Sequence, residues 1–545
     1  MRKTYTLPLI FIFIYFYACT VKRTDSGAQN QPIVKSALIN PALPGDNPDP
    51  SVIRIGNVYY ATSTTNEWAP CFTIYKSTDL KTWTLINHVF PEGSKDMKAA
   101  WGENKFWASE LSYDARQNKI YAYYTAHKKN VSGNAGLQCG VAWIDADKIE
   151  TGKFTDNGPI IVEKDCGAID AFELIDKGKI YTFWKNDGNG CGQETWIWMQ
   201  EMNESRTKLI GEKKRLFTAS QPWENKLVEG ACFFKKGKYY YSLYAVGGCC
   251  DSLCNYKTGI ARTKDLASGK WEKYEKNPVM VGNDNWKCPG HGTVVETPDG
   301  KLYMLYHAFN KDYNVFVGRE GVIEEMVMSE DGWPLLHNST IANRPVADMN
   351  FHDDFTKDAR LSLVWQWPSK ITKPGYKFDD GLKLESSDGN HKMGTFLGQY
   401  MKTTNLFIEA EITIGKPQTG ICLGGAIFGS KWPGELGGIG ITAAENGLVI
   451  FNNLEKTYKI IKQDPTPLSG NVKLAMKINN KVSQIEFYQS LNDSWIKIYE
   501  TSFNASKYTP WGMGYRIGIV TLGKNDEYGI YKSFEVTNLE PVLSR

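Results

Sequence analysis

Histidine is scarce in this chain, seven in 545 residues, and none stands beside the cysteines gathered between Cys249 and Cys254. That disfavours a zinc centre of the cysteine–histidine kind. A surplus of one charge is also missing: 63 basic and 60 acidic side chains leave a net charge of +3, and no basic block stands out. Nucleic acid is thereby removed from the candidate partners. Long helical periodicity is absent through roughly the first 345 residues, so strands rather than helices are expected there. The apolar run from Leu7 to Tyr17 is too short to span a bilayer.

What the sequence does hold begins with that run. Arg2 and Lys3 precede it and Ala18-Cys19 close it, the pattern of a secretory signal over residues 1–19. A cysteine directly after the small residue resembles a bacterial lipobox. Cys19 is therefore expected to carry lipid and to tether the exported protein at a periplasmic or outer-membrane surface. Phe16 departs from the aliphatic residue usual at its position, and a plain cleaved signal is the alternative. The polar stretch over residues 20–38 reads as a flexible linker. Ten cysteines remain after Cys19, nine of them between Cys71 and Cys288. In an oxidising compartment such a set favours disulfides, whose pairing the spacing does not settle. Aromatic residues reach 13%, which suits a large β core or a surface that stacks on sugar rings.

The length suggests two domains or three, and an internal repeat marks out the first. Five aromatic strands recur at a spacing of roughly 60 residues: Val58-Tyr59-Tyr60, Ile120 to Tyr124, Ile180 to Phe183, Tyr239-Tyr240-Tyr241 and Leu302 to Tyr306. Each follows a turn signal such as Gly56-Asn57 or Asp299-Gly300, so each reads as half of a β-hairpin. Five sheet units at constant period predict a five-bladed β-propeller over residues 39–345. Roughly nine to eleven residues before each strand stands one polar residue: Asp49, Glu110, Asp170, Glu229 and His291. Equivalent positions of blades converge at one end of the axis, so these side chains are expected around a common funnel. Any one of them alone would be read as satisfying backbone at a strand start. Carboxylates in phase repel one another and are not kept together without a use.

The same residues resemble glycoside hydrolase family 43. Asn47-Pro48-Asp49-Pro50-Ser51 is similar to its first blade. Trp107-Ala108-Ser109-Glu110 is similar to its second, with serine where proline is usual. Ala168-Ile169-Asp170, Val228-Glu229-Gly230 and Pro289-Gly290-His291-Gly292 resemble the next three. The resemblance implies an inverting glycosidase with Asp49 as general base, Glu229 as general acid and Asp170 as the third carboxylate that orients the acid and keeps it protonated. Leu227, Val228, Ala231, Cys232 and Phe233 give Glu229 an apolar sequence neighbourhood that points the same way. It also implies that Arg319 grips sugar hydroxyls, with a solvated strand-end charge as the alternative, and that His291 contacts a calcium ion. Trp107 is read as a wall of the sugar pocket, with a core tryptophan as the alternative. A neutral core histidine is the alternative at His291, and Glu110 is either a pocket group or a structural one. Ser63 to Trp68 and the loop from Val246 to Cys254 depart from the family pattern.

From Asp353-Asp354-Phe355 onward, short alternating strands such as Leu406 to Ile412, Val472 to Ile478 and Tyr515 to Val520 predict an all-β second domain, a concanavalin-like β-sandwich over residues 350–545. It either packs on the propeller and lends a residue to the pocket or serves as an independent carbohydrate-binding module. The function so implied is release of terminal α-L-arabinofuranosyl or β-xylosyl residues from plant polysaccharide or oligosaccharide. An endo-arabinanase and a non-catalytic sugar-binding propeller are the alternatives.

Overall fold

The computed structural model describes Met1 and residues 38–539, apart from 314–316, 338–340, 357–359, 370–372, 388–392, 429–434, 455–456, 480–482, 505–506 and 508–510. Save for Met1 and Leu38, the expected signal with Cys19 and the expected linker lie outside the described residues.

Five antiparallel sheets of four strands follow one another along the chain. The first holds Ser51–Ile55, Val58–Thr62, Cys71–Ser77 and Thr84–Phe90. The second holds Gly102–Asp114, Lys119–Lys128, Leu137–Asp145 and Thr155–Val162, and the third Ala168–Asp176, Lys179–Asn186, Trp196–Met202 and Leu209–Thr218. The fourth holds Glu229–Lys236, Tyr239–Val246, Lys257–Thr263 and Glu272–Lys273, and the fifth Trp286–Glu296, Leu302–Asn310, Glu320–Met328 and Pro334–His337. These are the blades of the propeller. The aromatic strands anticipated from the repeat are the second strands of the blades. Their rings fill the space between sheets: Tyr121, Tyr123, Tyr124, Tyr241 and Tyr244 are fully buried. The short Leu38–Asn40 strand runs parallel to Ile341–Asn343. Asn40 clasps the backbone of Ile323 in the fifth blade, donating to its carbonyl at 3.0 Å and accepting from its N–H at 2.9 Å. The start of the propeller is thus sealed onto its last blade.

One backbone irregularity recurs at the head of every inner strand. Asp49, Ala108, Asp170, Gly230 and His291 all have positive φ, between 40° and 57°. Two residues later the chain is paired with the second strand of its blade, at Ser51, Glu110, Phe172, Cys232 and Thr293. In blades two to five the ladder slips at this point. A left-handed residue at a bulge turns its side chain out of the alternating pattern of the strand. Repeated around the ring, it aims one position per blade at the axis.

The C-terminal part packs two antiparallel sheets face to face. One contains Asn405–Thr413, Asn471–Asn479 and Tyr528–Asn538, the other Gln418–Phe428, Glu435–Ala444 and Arg516–Leu522. Trp365 is buried against Phe355 and against Phe534 of the first of these sheets. This is the β-sandwich, and it docks on the propeller rather than hanging free. Trp367 and Pro368 pair with Ala69 and Trp68 of the first blade. The fully buried Arg516 donates to Asp46 at 3.1 Å and to Gln366 at 2.7 Å.

Candidate active site

A cavity of about 530 Å³ opens at the end of the propeller axis, and Asp49, Asp170, Glu229, Trp107, His291 and Arg319 all line it. Six of the seven residues singled out from sequence therefore share one wall. Glu110 does not reach it. Blade two carries Ala108 at the left-handed position, and Glu110 lies two residues further on, equivalent to Ser51 and Thr293. It is buried behind the wall, accepts from Thr293 Oγ1 at 3.0 Å and stands 4.0 Å from His291 Nε2. Burial pushes its carboxyl up to about 7, with His291 opposing. Of the two places left open for Glu110, a pocket group or a structural one, its position behind the cavity wall and beside His291 matches the second.

Asp49 is gripped from three sides. Arg319 Nη1 donates to Oδ1 at 2.9 Å, Thr64 Oγ1 donates to Oδ2 at 2.8 Å, and the Asp49 N–H donates to His307 Nδ1 at 3.1 Å. Burial raises the carboxyl, but Arg319, then His291 and His307, outweigh it and hold Asp49 well below the usual carboxylate range. His307 itself is lowered to about 4, by burial first and then by Arg319, which keeps its imidazole neutral and able to accept. Asp49 is therefore an anion at neutral pH with its oxygens already aimed.

Asp170 and Glu229 form a second group on adjacent blades. The Gly230 N–H donates to Asp170 Oδ2 at 2.9 Å. Burial raises Asp170 to about 6, opposed by His291 and reinforced by the Glu229 carboxylate. Glu229 accepts from Lys185 Nζ at 2.6 Å and from Tyr256 Oη at 2.8 Å. Lys185 is fully buried and also donates to Asp187 at 3.1 Å. Burial alone would lower it, but Glu229 and Asp187 keep it charged. The apolar residues that flank Glu229 in sequence, of which Leu227 lines the same cavity, do not supply its hydrogen-bond partners. A lysine and a tyrosine do.

Sequence reasoning missed Lys185, Tyr256, Thr64 and His307, together with Asn66 and Trp511 on the cavity wall. Two of them left a signal. Lys185 and His307 end the otherwise apolar stretches Ile180 to Trp184 and Leu302 to Tyr306, where a polar residue asks for a partner. Trp511 left none, because it comes from the sandwich, half-exposed, with its ring 6.0 Å from that of Trp107. Beside it, the Gly512 carbonyl accepts from Asn66 Nδ2 at 2.8 Å and from Arg319 Nη2 at 3.4 Å. The Ser63 to Trp68 segment, which departs from the family pattern, supplies both Thr64 and Asn66.

Among the described residues no group of three or more His, Cys, Asp or Glu side chains is set to hold a metal ion. His291 Nδ1 lies 3.4 Å from Asp49 Oδ1, and although burial opposes it, Asp170 and Asp49 raise the imidazole toward its charged form. Calcium takes about six to eight oxygen ligands. An imidazole supplies a nitrogen and no oxygen, so His291 by itself does not make the site, and no step below passes through an ion.

The cysteines pair as Cys166–Cys191, Cys249–Cys250 and Cys254–Cys288, while Cys71, Cys139, Cys232 and Cys422 are buried thiols.

Comparison with known proteins agrees with this geometry. Xylosidase/arabinosidase 43B of Humicola insolens is 30% identical over 350 residues, 60% of this chain and 62% of that protein. The β-xylosidase of Bacillus subtilis (strain 168) is 31% identical over 323 residues, 54% of this chain and 56% of that protein. The aligned region thus spans somewhat over half the length of these relatives. The crystal structure of xylan β-1,4-xylosidase from Bacillus halodurans C-125 superposes with a TM-score of 0.75 at 20% identity, over 92% of this chain and 100% of that one, and shares its fold. The description of glycosyl hydrolases family 43 matches residues 38–334, more than half of the sequence and the blades up to the last strand of the fifth, and the chain belongs to that family.

Proposed function

We propose that this protein is an exo-acting, inverting glycoside hydrolase that releases terminal α-L-arabinofuranosyl or β-xylosyl residues from plant cell-wall polysaccharide. The observation that carries the reading is the separate wiring of two carboxylates in one cavity. Asp49 is held ionised by Arg319 and His291, whereas Glu229 is bound to Lys185 and Tyr256. They stand on the first and fourth blades, which are not adjacent in a ring of five. That suits an inverting pair, whose carboxyls lie about 6.5–9.5 Å apart with water between them.

Asp49 takes a proton from that water as its oxygen attacks the anomeric carbon. Glu229 acts in its protonated form and gives that proton to the departing oxygen. Lys185 and Tyr256, whose hydrogen bonds favour the ionised carboxylate, then stabilise the charge left behind. Asp170, bonded to the N–H next to Glu229, orients the acid. Arg319, on Asp49 through Nη1 and on the Gly512 carbonyl through Nη2, presents its remaining Nη–H groups to sugar hydroxyls. The relatives' names, xylosidase and arabinosidase, support a pentose. Trp511 and Gly512, reaching over the rim from the sandwich, support a pocket closed on one side, hence chain-end attack. Three disulfides support an oxidising compartment, and with it export; the anchor at Cys19 rests on the Ala18-Cys19 pattern.

Linear arabinan, xylo-oligosaccharides and aryl arabinofuranosides and xylosides test the reading. Monosaccharide as first product, with inverted anomeric configuration by NMR, is expected. Oligomeric first products would mean an endo enzyme, and binding without turnover of any of these would leave a sugar-binding propeller.

A further inference from the structure

Of the loop from Val246 to Tyr256, the roles given above to the carboxylates use Tyr256 alone. The loop is covalently laced. Cys249 and Cys250, neighbours in sequence, are bonded to each other, and Cys254 is bonded to Cys288 in the inner strand of blade five. Gly248 and Asn255 close its base, with the Gly248 N–H donating to Asn255 Oδ1 at 2.8 Å and the Asn255 N–H donating to the Gly248 carbonyl at 2.9 Å. Both sulfurs' residues line the cavity that holds Asp49 and Glu229. The C-terminal end of the loop is Tyr256, whose hydroxyl donates to Glu229. At the other side, the Cys250 carbonyl accepts from the Gly512 N–H at 2.8 Å, and the Gly512 carbonyl accepts from Asn66 and Arg319. A methyl group placed on Gly512 would lie 3.9 Å from Cys250 Cβ, 3.9 Å from Arg319 Nη2 and 3.8 Å from Asn66 Oδ1, so the disulfide and the arginine flank one point of backbone.

A bond between adjacent cysteines closes a compact ring with the peptide that joins them. It removes the freedom of both side chains and replaces two weak thiol donors by an apolar, polarizable face. Such a face suits the C–H side of a sugar ring, while the hydroxyl side is left to charged groups. We propose that the Cys249–Cys250 disulfide is a specificity-determining wall of the pocket: it seats the terminal pentose and fixes the Cys250 carbonyl under Gly512, and so sets the reach of Arg319 to the sugar. This rests on the glycosidase reading above.

The test replaces both residues by serine in the full-length protein, leaving the other two disulfides in place. On an aryl pentoside the Cys249→Ser/Cys250→Ser enzyme is expected to show KM raised about tenfold with kcat within about threefold of wild type, the pattern of lost ground-state and transition-state binding alike. A fall in melting temperature with KM unchanged would make the bond a structural brace only and overturn the proposal. Wild-type protein gives a second reading that does not depend on the variant folding. Partial reduction by a phosphine, then alkylation and peptide mass analysis, reports the Cys249–Cys250 bond directly, and saturating free pentose should slow its reduction. Finding two free thiols before reduction, or no protection by pentose, would also overturn it. Failure of the wild type to turn over any aryl pentoside would instead sink the enzymatic reading, so the two failures are distinct.

Discussion

Asp49 and Glu229 are both carboxylates in one cavity, but they are asked for different things, and their variants should differ accordingly. Asp49→Asn keeps the size of the side chain while removing the base and the negative charge beside Arg319. Its kcat should fall by about 10³-fold or more on every substrate, and melting temperature should fall as well, because Arg319 is left buried without its anion. Glu229→Gln removes a proton donor that a poor leaving group needs and a good one does not. Turnover of oligosaccharide should fall by about 10³-fold, while an aryl glycoside with an acidic phenol should lose far less. Equal losses on both substrates would refute the assignment of the acid. Glu110 titrates as a stability probe. Its carboxyl is moved from 4.5 up to about 7 by burial, so between those values the folded state holds a proton that the unfolded chain has released. Stability therefore falls as pH rises through that window, and the cost is fully present above it. Glu110→Gln, which can still accept from Thr293, should flatten the dependence of melting temperature on pH between about 4.5 and 7. A curve as steep as wild type would remove Glu110 from the explanation.

At the scale of one element, every inner strand carries one left-handed position, and in three of the five blades the site residue sits on it. Gly230 is the position where this is most exposed to test. It has φ of +55°, and a Cβ there would come within 2.7 Å of the His291 ring. Gly230→Ala should cost about 1–3 kcal/mol from strain and displace His291, with a drop of several degrees in melting temperature and at least about tenfold in kcat/KM. Unchanged kinetics would mean that His291 has room to spare. The same feature explains where the periodic reading of the sequence worked and where it slipped. Asp49, Asp170 and His291 sit at the left-handed position itself, and spacing from the aromatic strand located them. Glu229 is one residue before it and still reaches the cavity. Glu110 is two after it, on the layer below, because blade two has Ala108 at the key place. A count of residues along the chain does not register a bulge, and a bulge decides which neighbour faces the axis.

Over the whole molecule, the propeller and the sandwich are bolted together by Arg516 on Asp46, a pair of which the arginine side chain is 0% and the aspartate 2% exposed. Arg516→Ala leaves Asp46 buried without its cation and should destabilise the protein by about 3–5 kcal/mol. Calorimetry should then resolve two transitions in place of one, as the sandwich releases before the blades. A single transition at the wild-type temperature would show that the interface does not rest on this pair.

Turn chemistry, alternation and a repeat near 60 residues are local properties, so the number of blades, the all-β character of both parts and five candidate axial positions could be read from the chain alone. Family likeness then supplied roles. Partners were another matter. Arg319 meets Asp49 across 270 residues, His307 meets it across 258, Lys185 meets Glu229 across 44, and Asn66 meets Gly512 across 446. Which groups hold a carboxylate ionised, which disulfides form and which tryptophan reaches over the rim depend on closing the ring and docking the sandwich. Contacts of that range are made by packing, and neighbours in sequence carry no record of them.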